Sequence, residues 1–130
     1  MRVMVGMGCD RGASLQTLQQ ALQQALELAG LAPESVTGLA SIDKKNDETA
    51  LLQLAAAHGW PLLFYPATEL AAVEVPNPSA VVLKHMGTPA VAEAAAIKAA
   101  HGSLRDLLIE KHKYLGADGK NATVSIARMA

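Results

Sequence analysis

An α/β fold is predicted, three layers α/β/α around a mostly parallel sheet with a C-terminal antiparallel hairpin. Three observations predict it. Three short aliphatic runs alternate with two helical stretches over residues 3–65, the pattern of parallel strands joined by right-handed helical crossovers. A turn-rich tract, Leu115-Gly116-Ala117-Asp118-Gly119-Lys120-Asn121, separates two later strand-like runs as a hairpin tip would. Apolar residues make up 51% of the chain and charged residues 18%, so 130 residues suffice to bury a core as one domain over residues 1–130.

The first strand is expected over residues 3–6, closed by the turn Gly6-Met7-Gly8-Cys9-Asp10-Arg11-Gly12. Ser14 is a good N-cap for the next helix. Leu15, Leu18, Leu22, Ala25, Leu26 and Ala29 recur there at helical spacing, and Gly30 ends it. Residues 38–42 read as a second strand, followed by the polar loop Asp43-Lys44-Lys45-Asn46-Asp47-Glu48. A helix over residues 49–58 stops at Gly59, and residues 61–65 form a third strand. A short helix is expected over residues 67–72. Asn77-Pro78 and Thr88-Pro89 pair a capping residue with a first-turn proline, opening helices over residues 79–86 and 90–100. Residues 107–114 and 122–128 complete the strands.

Composition excludes several functions. One Trp, one Phe and two Tyr leave few rings for stacking on bases, and a net charge of −1 is wrong for a general nucleic-acid binder. Cys9 is the single cysteine, so no internal disulfide forms. No apolar run approaches the roughly 20 residues of a membrane span, and the N-terminus reads as a buried strand, so a cytoplasmic location without membrane contact is expected. His58, His85, His101 and His112 lack metal-ligand spacing, so neither metal nor cofactor is expected.

Ligands of open α/β sheets gather beyond the carboxyl ends of the strands. Two loops fall there. In the first, helix N–H groups with Gly8, Cys9, Arg11, Gly12 and Ser14 suit an anion; equally, the glycines make only a tight turn. Gly6-x-Gly8-x-x-x-Gly12 is not the dinucleotide fingerprint, which leaves phosphate or nucleotide binding a minor alternative. In the second loop, Asn46, Asp47 and Glu48 cap the following helix in the plain reading. In the sharper one, Asp43 is a general base while Lys44 or Lys45 holds a substrate carboxylate. Lys111 and Lys113, two apart on a strand, share a face with Leu107 and Ile109; they either guard an edge or meet an acidic ligand. Glu93, among small residues, either enters a pocket or marks a wet helix face.

Several segments, in order, resemble one family. Gly6-Met7-Gly8-Cys9-Asp10-Arg11-Gly12 is similar to the Gly-x-Gly-Cys-x-x-Gly opening of the CobE/CbiG C-terminal family of cobalamin biosynthesis. Residues 41–48 resemble its Ser-Ile-Asp-x-Lys-x-Asp-Glu segment and Asn77-Pro78-Ser79 its Asn-Pro-Ser helix start. Gly87 through Ala95 resembles its Gly-x-x-x-Val-Ala-Glu-x-Ala stretch. Lys111-His112-Lys113 and residues 123–128 resemble its last two strands. Asp10, often basic in the family, and Thr88-Pro89 depart from the pattern.

The resemblance implies work in vitamin B12 synthesis. The family's two-part member opens the ring-A δ-lactone of cobalt-precorrin-5A and releases acetaldehyde; this chain matches its C-terminal part, like the stand-alone aerobic form. The implied ligand is a precorrin or related tetrapyrrole, fringed with carboxylates that suit Arg11, Lys44, Lys45, Lys111 and Lys113. The implied role is carrier or accessory factor to neighbouring pathway enzymes. Lactone hydrolysis is the alternative, with Asp43 or Glu93 as base and the Gly8–Gly12 amides as oxyanion donors.

Overall fold

A computed structural model describes residues 1–76 and 91–129. The expected helix over residues 79–86, and the caps at Asn77-Pro78 and Thr88-Pro89, lie outside the described residues.

The first strand, β1, is Val3–Cys9, longer than expected because its ladder with the last strand continues to the pair Cys9↔Ala122. Gly6 and Gly8 are therefore strand residues, and the turn proper begins at Asp10. Helix α1, Leu15–Ala29, starts where the Ser14 side chain accepts from the Thr17 amide at 3.2 Å. It ends at Gly30, whose φ of 69° is left-handed and costs glycine little. Strands β2 (Val36–Ile42) and β3 (Leu62–Tyr65) flank α2 (Thr49–His58), and α3 (Ala67–Ala71) follows. Helix α4 is described over Val91–Ala100, then β4 (Leu107–Leu115) and β5 (Asn121–Arg128) form the hairpin.

The sheet order is β3-β2-β1-β5-β4. β1 pairs with β2 and β2 with β3 in parallel, whereas β5 pairs antiparallel with both β1 and β4. Half the pairings are thus antiparallel, and the sheet is more mixed than expected. The cause is the hairpin: it inserts β5 beside β1 instead of adding β4 there. β4 still points the way of β1.

Alternation along the strands sorts side chains to two faces. Val3, Val5 and Met7 pack with Leu18, Leu22 and Leu26 of α1 and with Leu51 and Leu54 of α2. Met4, Ala40 and Ile42 face Leu70 of α3 and the alanines of α4. The three layers follow from these two apolar clusters. Contact with α4 is closest at Gly6, where a Cβ would fall onto the carbonyl oxygen of Ala92 and within 2.8 Å of the Ala96 nitrogen. A glycine there lets the helix lie against the sheet. Among the described residues no helix is long and apolar enough to cross a membrane.

Candidate functional site

The loops at the carboxyl ends of β1 and β2 are locked to one another. Arg11 donates to Asp47 Oδ1 at 2.7 Å and to the Lys44 carbonyl at 2.9 Å, and its Nη1 stands 3.2 Å from Glu48 Oε1. The Gly12 amide donates to Glu48 Oε2 at 3.1 Å. Lys45 is buried, donates to the Cys9 carbonyl at 2.5 Å and lies 3.8 Å from Glu48. Arg11 beside Asp47 holds that carboxyl below its usual range. The charges of Arg11 and Lys45 are met within the protein.

The first helix terminus is occupied likewise. Asp118, on the β4–β5 turn, accepts from the Ser14 amide at 2.8 Å and the Thr17 hydroxyl at 2.9 Å. These donors, with the Lys120 amide, hold its carboxyl down at about 2. The amides of Asp10 and Ala13 donate to the carbonyls of Asn121 and Asp10. The expected oxyanion donors at Asp10 and Gly12 are therefore already committed, to the Asn121 carbonyl and to the Glu48 carboxylate. The same commitments leave little room for a phosphate at the first turn. Burial pushes the Cys9 thiol up to about 11, far from a thiolate nucleophile at neutral pH. Asp43 is exposed, in the 3-10 turn Asp43–Lys45, and its carbonyl accepts from the Asn46 amide at 3.0 Å.

A second group gathers on the α4 side of the sheet. The register places Gly8 beside Thr123 and Thr123 beside Lys113, one row across β1, β5 and β4. A Cβ built on Gly8 meets no described atom within 4 Å. One step further down the sheet, Glu93 in the first described turn of α4 is fully buried, with Lys111 Nζ 3.7 Å from its Oε1. Lys113 and Lys44 are exposed, with no ion-pair partner among the described residues.

The facing of Ile109 corrects the expected alternation. Ile109 pairs with Ile126 but His112 with Val124, so Glu110 and Lys111 together oppose Ser125 in a bulge; a second shift lies between Leu107 and Ile109. Ile109 and Tyr114 consequently pack on the α1 side, where His112 also meets Gln24 at 2.8 Å, whereas Lys111 reaches Glu93 on the α4 side. Lys111 and Lys113 share the face of Leu107 but not that of Ile109.

The candidate residues thus form two sets. Gly8, Lys111, Lys113 and Glu93 converge on the α4 face, with Lys44 exposed at the end of β2. Cys9, Arg11, Gly12, Ser14 and Lys45 belong to the interlocked loops. Sequence reasoning missed Glu48 as the hub of those loops, since it was read as a cap for α2, where its side chain makes no capping bond. The crowding of opposite charges in residues 43–48 was the available signal. It also missed Asp118, for which a hairpin tip gives no signal. Among the described residues no cluster of three or more His, Cys, Asp or Glu is arranged to hold a metal.

Residues 3–127 match the family model described as cobalamin synthesis G C-terminus. The chain is 31% identical over 123 residues to cobalt-precorrin-5A hydrolase of Priestia megaterium, covering 95% of this chain but 31% of that protein. It therefore spans about a third of that relative. It is 33% identical over 127 residues to protein CobE of a Sinorhizobium species, covering 96% of this chain and 79% of the relative. The crystal structure of CobE, a protein of the cobalamin pathway, superposes with a TM-score of 0.81 at 33% identity, covering 96% of this chain and 93% of that one.

Proposed function

The chain belongs to the C-terminal family of the cobalamin synthesis G proteins, and from that premise we propose that it binds a carboxylate-fringed precorrin or corrin intermediate, as a carrier or accessory factor of the pathway. The observation that carries this reading is the row Gly8–Thr123–Lys113 on the α4 face, with the Glu93–Lys111 pair beside it. A small residue leaves space for a ring, a hydroxyl offers a hydrogen bond, and two lysines answer acidic side arms. Lys44 stands at the end of β2, three strand spacings or roughly 14 Å from β4, a span that suits a broad macrocycle better than a single phosphate. Arg11 and Lys45 hold the loops at the rim.

A second reading is hydrolysis of a precorrin-5A-type lactone, favoured by the likeness to the Priestia hydrolase. Buried Glu93 is then the base to test, since Asp43 is exposed and Cys9 is held as a thiol.

One experiment separates the readings. Purified protein is mixed with a precorrin-containing extract and passed over a sizing column. Pigment eluting with the protein at unchanged mass is expected. Acetaldehyde released in step with protein concentration gives the site to the hydrolase. Pigment that never travels with the protein, and no acetaldehyde, overturns both.

A further inference from the structure

We infer that the outer face of α1 and α2 is a docking surface for a second copy of this chain, with the two α1 helices antiparallel across a two-fold axis. This layer lies on the other side of the sheet from α4, so the inference stands apart from the binding reading above.

Lack of charge sets this face apart. The chain has 11 basic and 12 acidic residues, yet the 15 residues of α1 and the 10 of α2 carry one formal charge between them, that of Glu27. What α1 shows to solvent is mainly amide: Gln16, Gln19, Gln20 and Gln23 are exposed. Gln23 donates to Glu27 Oε1 at 3.2 Å, and the other three amides have no hydrogen-bond partner among the described residues. Helix α2 exposes Leu52, Gln53, Ala56 and Ala57. Leu28 and Leu52 keep 66% and 44% of their exposure, so an almost uncharged layer also leaves two leucines in water. Depletion of charge marks the core of a protein interface, whereas a helix that faces only water gains from ion pairs three or four residues apart.

Self-complementarity selects the partner. A two-fold interface sets each patch against itself, which a charged patch resists and a glutamine stripe accepts, because an amide both donates and accepts. Gln16, Gln20, Gln23 and Glu27 recur at helical spacing in one line along α1. With the axis at mid-height of that line, Gln20 of each copy faces Gln23 of the other, and Gln16 of each faces Glu27 of the other. Each Glu27 then lies beside the first turn of the opposite helix, where the helix dipole favours a carboxylate. The two Glu27 carboxylates stand about 16 Å apart along the axis, beyond the roughly 8 Å over which like charges repel in physiological salt. Helix α1 is about 22 Å long and the pair of helices roughly 20 Å wide, so the face belongs with small interfaces and a transient dimer.

Sedimentation velocity of the full chain tests this. Wild type is expected as a monomer at about 5 µM and largely as a dimer at about 500 µM. The Gln20→Lys, Gln23→Lys double variant sets lysine against lysine in both facing pairs and should stay monomeric throughout. The Gln20→Lys, Gln23→Glu variant sets lysine against glutamate in the same places and should dimerise about three- to tenfold more tightly than wild type at low salt. All these positions are exposed on a helix, so circular dichroism should show the wild-type fold in both. Wild type that remains monomeric at the highest concentration overturns the inference, whether or not another pathway protein then sediments with it. A dimer that forms equally well in both variants also overturns it, since the contact then lies elsewhere, such as along edge strand β4. Uroporphyrin, a fluorescent octacarboxylate porphyrin, probes the opposite face and should bind both variants at physiological salt as it binds wild type. Its failure to bind wild type counts against the binding reading, and the sedimentation result then judges the α1–α2 face by itself.

Discussion

Glu48 accepts a hydrogen bond from the amide of Gly12 across 36 residues of sequence, at 3.1 Å, and its other oxygen faces both Arg11 and Lys45. One carboxylate thus joins the first two strand-to-helix connections. Its side chain and that of Lys45 are nearly inaccessible, so solvent screens them little.

Removing Glu48 leaves Lys45 buried without its nearby opposite charge. Glu48→Ala is expected to destabilise the fold by about 3 kcal/mol, the usual cost of breaking a buried pair from one side. Glu48→Gln, which retains an acceptor for the Gly12 amide, should lose less. Urea unfolding of the two variants checks the order. Equal stability of all three proteins would mean that the cluster contributes nothing.

Gly6 is the contact that seats α4. Gly6→Ala drives a methyl into the backbone of Ala92 and Ala96, which cannot move as a side-chain end can. The expected cost is about 2–3 kcal/mol of overpacking, with α4 lifted and Glu93 drawn from Lys111. Gly8→Ala meets no described atom within 4 Å and should leave stability close to wild type. If Gly8 lies under the bound ring, the same alanine weakens pigment binding. Melting curves and probe titrations on this pair separate packing from recognition.

What the sequence made legible was local. The ends of α1 were readable because Ser14 and Gly30 act within a few residues of themselves, and the faces of α1 because one stripe repeats every turn. The hairpin was visible in its glycines and asparagine. The facing of Ile109 was not, because a bulge depends on which partner residues stand opposite, and those lie beyond the turn. The internal partners of the first turn were hidden for a similar reason. Its donors are satisfied by Asp118 and Glu48, each distant in sequence. The cluster of lysines near carboxylates was readable; which lysines are spent internally was a tertiary question.

Asp118 gives the fold an acid-sensitive latch. Its folded-state carboxyl titrates at about 2, chiefly because the Ser14 amide donates to it, and in an unfolded chain a carboxyl titrates near its ordinary, higher value. A depressed pKa contributes stability that is complete above the unfolded value and lost as pH falls toward the folded one. The stability difference between wild type and Asp118→Ala should therefore be widest at pH 5–7 and shrink as pH drops from about 4 toward 2. Denaturation at several pH values tests this. A difference that stays constant across that window would show that the capping bonds to Ser14 and Thr17 do not depend on the charge.

Charge reversal tests the ligand face. Lys44 and Lys113 are exposed and bear no part of the loop cluster's side-chain contacts, so Lys44→Glu and Lys113→Glu should fold as wild type. Each is expected to weaken uroporphyrin binding about three- to tenfold at low salt, with the difference narrowing as salt rises. Full affinity in both variants would move the ligand off this face.

The end of α4 carries strain that the fold tolerates. His101 sits at φ 56°, the left-handed position after the helix, where its amide donates to the Lys98 carbonyl and the Gly102 amide to that of Ile97. This pair of bonds is the Schellman arrangement, which usually places glycine where His101 stands. An L-residue in that conformation costs about 1–2 kcal/mol, more than the entropy of about 0.5–1 kcal/mol that glycine loses on being fixed. His101→Gly should therefore raise stability by about 0.5 kcal/mol, a shift of a few degrees in Tm for a chain of this size. The residue also lines a cleft of about 340 Å³ with Val73, Ile97, Lys98 and Leu104, at the end of α4 away from Glu93. Because that cleft is remote from the proposed ligand face, the glycine variant should bind uroporphyrin as wild type does. A stabilised variant that binds more weakly would show that the helix end and the ligand face are coupled through α4.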